Sequence, residues 1–324
     1  MKKYKPIELE IMKRLLPLSR AIALFLLFGL PSTILSPFLG YVQTQMRRLR
    51  RRNQRIENVI FDLGGVLLNN SKKKAFLTIG ISRFFAYIAT LHNPFNVQKK
   101  LFNFLHTIKP LDPTIPKSYS PDGKHILPQL LIDWLSGTYS CSQIRGIVSS
   151  HVKSHPNSFK DRSERSLILS MALMIFTPKA IAASVYPTKK GIKFVKTCKE
   201  KGLNVYILSN FDAESFELIQ KKHPELFGLF EKENIFVSGY HKTAKPALPF
   251  YQILLNNSNI CPESCLLFDD QTENIKAAQQ LGIQGIVCKK RKNLFSSELH
   301  FQTLEKQLND LLEKQNKDLT YEIL

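Results

Sequence analysis

An aspartate that ends a short apolar run is the residue best placed to do chemistry in this chain. The run at residues 59–61 leads into Asp62, and Gly64 and Gly65 follow it. Such a run is typical of a buried parallel strand, and a carboxylate at its carboxyl end lies where open α/β sheets bind ligands. Glycines there allow a tight turn and the close approach of a ligand. The carboxylate can attack phosphorus as a nucleophile, but an aspartate that merely caps a strand has the same local sequence.

Later segments place further polar groups in the same kind of position. Ser209 and Asn210 follow one apolar run, Asp269 and Asp270 follow another, and Lys245 lies between them in the chain. Taken singly, the first pair suits a turn and the lysine suits a solvated surface. Adjacent carboxylates are harder to explain, because they repel each other unless a cation holds them. Since the carboxyl ends of parallel strands meet in one crevice, the sequence predicts that these groups converge.

The three carboxylates predict a magnesium site. Mg²⁺ prefers hard oxygen ligands, keeps several waters, and typically takes one or two carboxylates together with a substrate phosphate. Asp62 and one of Asp269 and Asp270 would supply those carboxylates.

The other groups predict a phosphoryl-binding site beside that metal. A serine hydroxyl near a helix N-terminus can hold phosphate oxygens, a role that suits Ser209, with Asn210 as a second donor. A phosphoryl transition state also needs fixed positive charge. Lys245 would supply it and would keep Asp62 ionised beside an anionic substrate.

Strands alternate with helices over the second half of the chain. This alternation predicts an α/β fold with a Rossmann-like parallel sheet flanked by helices. The predicted strands cover residues 59–61, 204–209, 234–238, 265–270 and 285–288, and the predicted helices that alternate with the later strands cover residues 189–201, 214–222, 248–255 and 273–281.

The segment between the first two strands predicts a helical insertion. Helical patterns occupy much of residues 75–185, and no alternating strand pattern appears before residue 204. Residues 109–128 are rich in Pro, Ser, Asp and Gly, which indicates a loop. Residues 296–314 have a polar amphipathic pattern that predicts a C-terminal helix.

The formal charge of +20 is concentrated near the N-terminus. Residues 1–56 contain 12 Lys and Arg against Glu8 and Glu10, which accounts for half of the net charge. A basic surface suits nucleic acid, anionic lipid or phosphorylated substrates, but the rest of the chain has no nucleic-acid motif, so we expect no nucleic-acid partner. The five cysteines show neither zinc spacing nor a disulfide framework, which fits a reducing compartment.

Residues 21–42 predict a hydrophobic helix that attaches the chain to a membrane. The segment carries no charge and is long enough to span a bilayer, although Pro31 and Pro37 would kink it. The arginines within residues 47–55 outweigh the basic residues on the other flank, so the rest of the protein would face the cytoplasm. A soluble amphipathic extension on a cytoplasmic protein is the alternative, and a cleaved signal peptide fits less well.

Four motifs resemble, in order, those of the haloacid dehalogenase-like (HAD) hydrolase superfamily. They occupy residues 61–67, 206–211, 245–246 and 267–274. The insertion resembles the superfamily's helical cap of the C1 type. Residues 134–137 resemble a cap segment of the branch that contains glucose-1-phosphate phosphatase-like enzymes and the N-terminal phosphatase domain of soluble epoxide hydrolase. The implied domains are a basic N-terminal segment at 1–56, a core at 57–74 and 186–290, a cap at 75–185 and a helical tail at 291–324.

By this resemblance Asp62 would be the nucleophile and a Mg²⁺ ligand. Asp270 and the backbone carbonyl of Gly64 would be the other protein ligands, with Asp269 supporting them. Most phosphatases of the family carry a second aspartate two residues after the nucleophile, where it protonates the leaving group, and here that position is Gly64. General acid catalysis typically contributes about 10²–10⁴-fold. Either the leaving group needs little protonation, or another group supplies the proton, or activity is weak. The glucose-1-phosphate phosphatase-like branch resembles this sequence in having glycine at this position, so the glycine does not by itself imply an inactive enzyme.

The resemblance implies a Mg²⁺-dependent phosphatase of a small, sugar-phosphate-like metabolite. Ser209 and Lys245 would bind the phosphoryl group, with help from Asn210. One alternative is a catalytically weak or inactive membrane-associated module that binds phosphate groups without turnover. Another is a haloacid dehalogenase-type hydrolase, whose chemistry needs no metal, and the Asp269-Asp270 pair argues against it.

Overall fold

The strand that ends at the nucleophile candidate lies at the centre of a parallel sheet. The computed structural model describes residues 55–71, 79–120, 125–292, 297–299 and 301–320. Its strands are β1 (Asn58–Phe61), β2 (Leu68–Asn70), β3 (Val185–Pro187), β4 (Asn204–Ser209), β5 (Ile235–Val237), β6 (Cys265–Asp269), β7 (Gln284–Val287), β8 (Lys290–Lys292) and β9 (Ser297–Leu299). The five strands of the main sheet have the order β5-β4-β1-β6-β7.

Helices cover both faces of this sheet and fill the segment between β2 and β3. They are α1 (Ile81–Ala89), α2 (Val97–Ile108), α3 (Gln129–Leu135), α4 (Cys141–Ser154), α5 (Arg162–Ile175), α6 (Pro178–Ser184), α7 (Lys189–Glu200), α8 (Ala213–Lys222), α9 (Pro224–Phe227), α10 (Leu248–Ser258), α11 (Thr272–Gln280) and α12 (Phe301–Thr320). The Rossmann-like fold class predicted from the alternating pattern is confirmed.

The register of the sheet brings the ends of three strands to the same level. Phe61, the last residue of β1, pairs with Ile207 of β4 on one side and with Phe268 of β6 on the other. All three strands run parallel, so the residues that follow them emerge at one edge of the sheet. The predicted site residues after these strands are therefore neighbours in space.

Alternate side chains of β1 enter two different hydrophobic clusters. Phe61 faces the cluster that includes α7 and α8, where its ring stacks on Phe268 with centroids 5.5 Å apart and meets the edge of Phe194 at 5.8 Å. Ile60 faces the opposite cluster, which Tyr251 of α10 and Ile275 of α11 help to form. Because both faces are covered, the central strands are apolar at nearly every position, and this gives the continuous runs seen in the sequence.

The insertion between β2 and β3 has a hydrophobic cluster of its own. Side chains of α1 to α5, including Leu105, Ile144 and Leu167, bury one another in it. At its base β2 and β3 pair antiparallel, with Leu68 opposite Pro187. This ribbon is a difference from the sequence prediction, which had no strand between the one that leads into Asp62 and the one that begins at residue 204. Strands of three residues are too short to show an alternating pattern.

The C-terminal helix packs on the main domain. Leu304 and Leu308 of α12 are buried in the same cluster as Phe61, and Phe301 contacts the ring of Phe194 at 5.9 Å. The helix continues to Thr320, six residues beyond the predicted end. These side chains of α12 are therefore part of the hydrophobic core of the main domain.

The predicted hydrophobic helix at residues 21–42 lies outside the described residues. Within the described parts of the chain, no single helix has the length and apolar composition needed to cross a membrane. One pair, Arg162–Ile175 and Pro178–Ser184, reaches that length and composition together, but the two helices are bent by 82°.

Candidate active site

Three segments distant in sequence meet at the carboxylate of Asp62. The residue follows β1 directly and is buried, and its amide donates to the carbonyl of Phe268 at 2.9 Å. Its Oδ1 accepts from the Ser209 hydroxyl at 2.9 Å and from Lys245 Nζ at 2.9 Å. The structure therefore brings together the predicted nucleophile and the two predicted phosphoryl-binding side chains.

Lys245 is buried between two carboxylates. Its side chain is 1% exposed, and Nζ donates to Asp269 Oδ2 at 2.6 Å as well as to Asp62. Burial lowers the pKa of Lys245, but the charges of Asp269 and Asp62 and their hydrogen bonds outweigh it, so the pKa is raised. The ammonium group thus keeps its proton, as a group that stabilises a phosphoryl transition state must.

The pKa of Asp62 is raised to about 6, and burial is the largest cause. Lys245 acts in the opposite direction by favouring the carboxylate, while the negative charge of Asp269 adds to the increase. A carboxyl group with this pKa is mostly ionised at neutral pH. Asp62 is therefore a carboxylate under those conditions, which is the form that can attack phosphorus.

Asp269 is fixed by the start of α11. Asn274 Nδ2 donates to both of its oxygens, at 3.0 and 3.1 Å, and the Gln271 amide donates to Oδ1 at 2.8 Å. The hydroxyl of Tyr251 in turn donates to the Asn274 carbonyl at 2.9 Å. Asp269 is fully buried, and these bonds hold its carboxylate toward Lys245.

The carboxylates of Asp62, Asp269 and Asp270 form a group that fits a divalent cation. One oxygen from each lies within 4.8 Å of the others. Three carboxylate oxygens at this separation are the hard donor set that Mg²⁺ takes. The Gly64 carbonyl as a further ligand remains a prediction from the resemblance.

The two glycines after Asp62 differ in how much space surrounds them. A Cβ on Gly65 would lie 2.1 Å from Asp270 Oδ2, and the φ of Gly65 is +82°, a left-handed conformation that suits glycine. A Cβ on Gly64 would lie 3.8 Å from Asp62 Oδ2, an ordinary contact. Gly65 thus lets Asp270 approach, whereas position 64 would direct a side chain toward the nucleophile.

Asn210 contacts the backbone of Lys245 through both ends of its amide. Nδ2 donates to the Lys245 carbonyl at 2.8 Å, and Oδ1 accepts from the Lys245 amide at 2.8 Å. The sequence predicted a donor to the phosphoryl group. In this arrangement the acceptor and one donor position serve Lys245, so Asn210 positions the lysine.

Two residues of the site were missed from the sequence. Ser118, a buried residue of the loop at 109–128, lies with Oγ 3.4 Å from the Lys245 carbonyl, which brings the loop to the strand ends. Its neighbours in the sequence are polar as well, so no sequence pattern distinguishes Ser118 from them. Asn274 was inside the fourth motif, and its place five residues after Asp269, on the first turn of a predicted helix, was a signal for a capping contact.

A family model and several known proteins match parts of this chain. The family model described as a hydrolase, haloacid dehalogenase-like hydrolase, matches residues 56–282. Among curated proteins, the sesquiterpene phosphatase astK of Aspergillus oryzae is 30% identical over 100 residues, which cover 31% of this chain and 50% of the relative. The drimenol cyclase drtB of Aspergillus calidoustus is 31% identical over 101 residues, which cover 30% of this chain and 19% of the relative. The matched region thus spans half or less of each relative.

The solved structures that match this chain are more distant in sequence. A HAD family enzyme of Bacteroides thetaiotaomicron, solved with magnesium and inorganic phosphate, is 19% identical with a TM-score of 0.46 and covers 74% of this chain and 98% of its own. The L-2-haloacid dehalogenase of Xanthobacter autotrophicus is 14% identical with a TM-score of 0.43 and covers 74% of this chain and 79% of its own.

Proposed function

The chain belongs to the haloacid dehalogenase-like hydrolases, and on that premise we propose that it is a Mg²⁺-dependent phosphatase with Asp62 as its nucleophile. The observation that carries the proposal is the pair of hydrogen bonds to Asp62 Oδ1 from Ser209 and Lys245. A hydroxyl and an ammonium group beside a carboxylate nucleophile suit a substrate that brings its own negative charge.

The reaction proceeds in two displacements at phosphorus. Asp62 attacks the phosphoryl group, its oxygen forms a bond to phosphorus, and the bond from phosphorus to the leaving oxygen breaks. Water then attacks the phosphoaspartate, releases inorganic phosphate and restores the carboxylate. Lys245 and Ser209 hold the phosphoryl oxygens during both steps, and Asp269 and Asn210 keep the lysine in place.

Mg²⁺ would be held by Asp62, Asp270 and the Gly64 carbonyl, with Asp269 supporting. When bound, it would neutralise charge on the phosphoryl oxygens. The oxygen atoms of the three carboxylates are close enough together for this role. The same group of carboxylates is the reason to prefer a phosphatase over a haloacid dehalogenase, whose chemistry needs no metal.

Gly64 favours substrates whose leaving group departs without receiving a proton from the enzyme. No carboxyl group is attached at the position from which family phosphatases protonate the leaving oxygen. The protein therefore acts best on phosphate esters of weakly basic leaving groups or on substrates that bring water to the leaving oxygen. The same glycine favours the second candidate function, a module that binds phosphate groups with little turnover.

For the phosphatase, the substrate is a phosphorylated small molecule, and two classes of substrate have support. The resemblance of residues 134–137 supports a sugar phosphate. The curated relative named a sesquiterpene phosphatase supports a phosphorylated isoprenoid alcohol instead. A panel with both classes separates them.

We also propose that residues 21–42 attach the protein to a membrane with the catalytic domain in the cytoplasm. The uncharged segment and the arginines that follow it support this orientation. Protease protection of an N-terminal and a C-terminal tag in intact cells tests it, and cleavage of both tags from outside would contradict it.

Hydrolysis of an aryl phosphate by the full chain tests the enzyme. A phenolate departs without help from an acid, so Gly64 cannot hide activity. We expect hydrolysis with Mg²⁺, none with EDTA and none with Asp62→Asn, whereas Asp310→Asn, on the exposed side of α12, keeps full activity. Full activity in Asp62→Asn would contradict the nucleophile. A folded protein that binds phosphate with Mg²⁺ but hydrolyses no member of the panel would favour the binding module.

A further inference from the structure

The first helix of the insertion exposes an unusually apolar surface. Ile81, Phe85 and Ile88 lie four and three residues apart on α1, so they share one face, and they are 41%, 65% and 38% exposed. Leu91 and Phe95 follow and are 96% and 92% exposed. We call these five residues the α1 patch. Five large apolar side chains within fifteen residues are more than the scattered exposure of an ordinary soluble surface.

The patch is not the unfilled side of a poorly packed helix. The other side of α1 holds the helix to the insertion through Tyr87, which is fully buried, and Phe84, which packs against the same cluster. Thr90, after the helix, meets the hydroxyl of Ser163 at 2.7 Å. The helix is therefore fixed by one face while the other face carries the patch.

The sequence around the patch has an unusual charge. Residues 63–111 contain seven Lys and Arg and no Asp or Glu. Of these basic residues, Arg83 on α1 and Lys99 on α2 are exposed in the described structure. A surface with apolar side chains and one sign of charge has the composition of an interfacial lipid-binding helix.

Acidic side chains near α1 do not cancel this charge. In the described structure three acidic side chains form ion pairs with residues 63–111: Asp133 with Lys109, and Asp161 and Glu164 at the start of α5. Asp161 bonds to His92 at 2.7 Å, and Glu164 bonds to Lys100. The exposed side chains of Lys99 and Arg83 can therefore contact a negatively charged surface.

We propose that the α1 patch docks on the surface of an anionic lipid bilayer. The apolar side chains enter the boundary between headgroups and acyl chains, and the basic residues contact anionic headgroups. A second copy of the chain is a poorer occupant, because a symmetric contact would bring two surfaces of the same positive charge together. This attachment is independent of the proposed phosphatase activity and of residues 21–42.

A reporter inside the patch separates this contact from any other attachment of the full chain. Phe95→Trp places an indole at the more exposed of the two aromatic positions in the patch, and Tyr186→Trp places one on β3, where Tyr186 is 45% exposed. The natural Trp134 is 5% exposed and contributes the same background to both. Each protein is mixed with vesicles of phosphatidylcholine and phosphatidylserine whose acyl chains are brominated or unbrominated.

We expect brominated lipid to quench the emission of Phe95→Trp and to leave Tyr186→Trp unchanged. Vesicles of phosphatidylcholine alone, or high salt, should reduce the effect, because screening weakens contacts with anionic headgroups. Equal quenching of the two proteins, or none in Phe95→Trp, would overturn the proposal. Emission that changes with protein concentration in the absence of lipid, together with a dimer in solution, would also overturn it and identify a second copy as the occupant.

A second pair of variants measures how much the patch contributes. In the Phe95→Trp protein, Ile81→Gln with Phe85→Gln should lower the quenching by brominated lipid by about tenfold, because the patch loses two of its apolar side chains. This readout reports the patch itself, whatever residues 21–42 contribute to attachment. Tyr186→Gln with Tyr240→Gln in the same protein removes two aromatic residues that are 45% and 51% exposed and serves as the control. If quenching falls equally in both, or in neither, the patch has no specific role and the proposal fails.

Discussion

Asn210 and Lys245 are joined by two reciprocal hydrogen bonds, each 2.8 Å long, between the asparagine amide and the lysine backbone. The bonds fix the peptide on both sides of the Lys245 Cα. Nζ of the same lysine reaches Asp62 at 2.9 Å and Asp269 at 2.6 Å. A residue that follows β4 thus determines where the positive charge of the site lies.

Replacing Asn210 with alanine should lower kcat by about 10–100-fold, the usual effect of removing a residue that orients a site group. The lysine backbone would lose both partners and Nζ would move away from Asp62. We expect the change in kcat with little change in KM, because the phosphate-binding atoms themselves remain. Steady-state kinetics with an aryl phosphate measure both constants.

Asn204→Ala is the matched control for that variant. Asn204 is the first residue of β4, the strand that Asn210 follows. It donates to Asn58 Oδ1 at 3.0 Å, at the end of the sheet away from the site. Its loss should leave kcat unchanged. A KM that rises while kcat holds in Asn210→Ala would instead indicate that the asparagine binds the phosphoryl group.

Gly64→Asp should change which substrates are hydrolysed. A side chain fits there, since its Cβ would lie 3.8 Å from Asp62 Oδ2, and an aspartate could protonate the leaving oxygen. We expect kcat/KM for alkyl phosphates to rise relative to aryl phosphates by about 10²-fold, the lower range of general acid catalysis. Gly64→Asn has the same shape without the acid and should leave the ratio unchanged. An equal ratio in both variants would show that position 64 cannot serve as the acid.

Gly65→Ala should weaken Mg²⁺ binding. Its Cβ would lie 2.1 Å from Asp270 Oδ2, so the carboxylate must move. Gly202→Ala is the control, because Gly202 has a similar φ of +75° but nothing within 4 Å of the added atom. Both variants carry the left-handed strain of about 1–2 kcal/mol, and both should melt at lower temperature.

Calorimetric titration with Mg²⁺ separates the two glycine variants. We expect an affinity loss of about tenfold or more in Gly65→Ala alone, as for other disturbed metal ligands. Equal affinities would mean that Asp270 does not hold the metal.

The cysteines should differ in their rate of alkylation. Burial raises the pKa of Cys141, Cys198 and Cys265 to about 12 and that of Cys288 well above its usual value, so little thiolate forms at about pH 8. Cys261 is half-buried and should react first. Mass spectrometry of the native protein should find one fast label, with all five after unfolding. Rapid native labelling of Cys141 would contradict its burial beside Trp134, whose indole N–H donates to the Cys141 sulfur at 3.2 Å.

The strands of the main sheet and the residues that end them were predicted well, for a physical reason. A strand covered on both faces must be apolar throughout, so β1, β4 and β6 are visible as continuous runs, and the polar residues that end them stand out. The convergence of Asp62, Ser209 and Asp269 then follows from parallel pairing alone. The HAD-like family was identified from the same motifs and is confirmed.

Contacts that depend on the direction of a side chain could not be predicted from the sequence. The sequence shows that Asn210 is beside the site, but not that its amide turns to the Lys245 backbone rather than outward. Ser118 reaches the site from a loop whose path no periodic pattern describes. The α1 patch could not be predicted because Phe84 and Phe85 are adjacent residues of the same type. Only the packing of α1 on its neighbours partly buries Phe84 and exposes Phe85.

The covalent intermediate at Asp62 is the most direct test of the proposed mechanism. The full chain is mixed with an excess of aryl phosphate and Mg²⁺ and quenched with sodium borohydride, which reduces an acyl phosphate to an alcohol. We expect homoserine at position 62 in the peptide map, and none when substrate is omitted. Hydrolysis that continues at the same rate with aspartate intact at position 62 in every quenched sample would contradict the account.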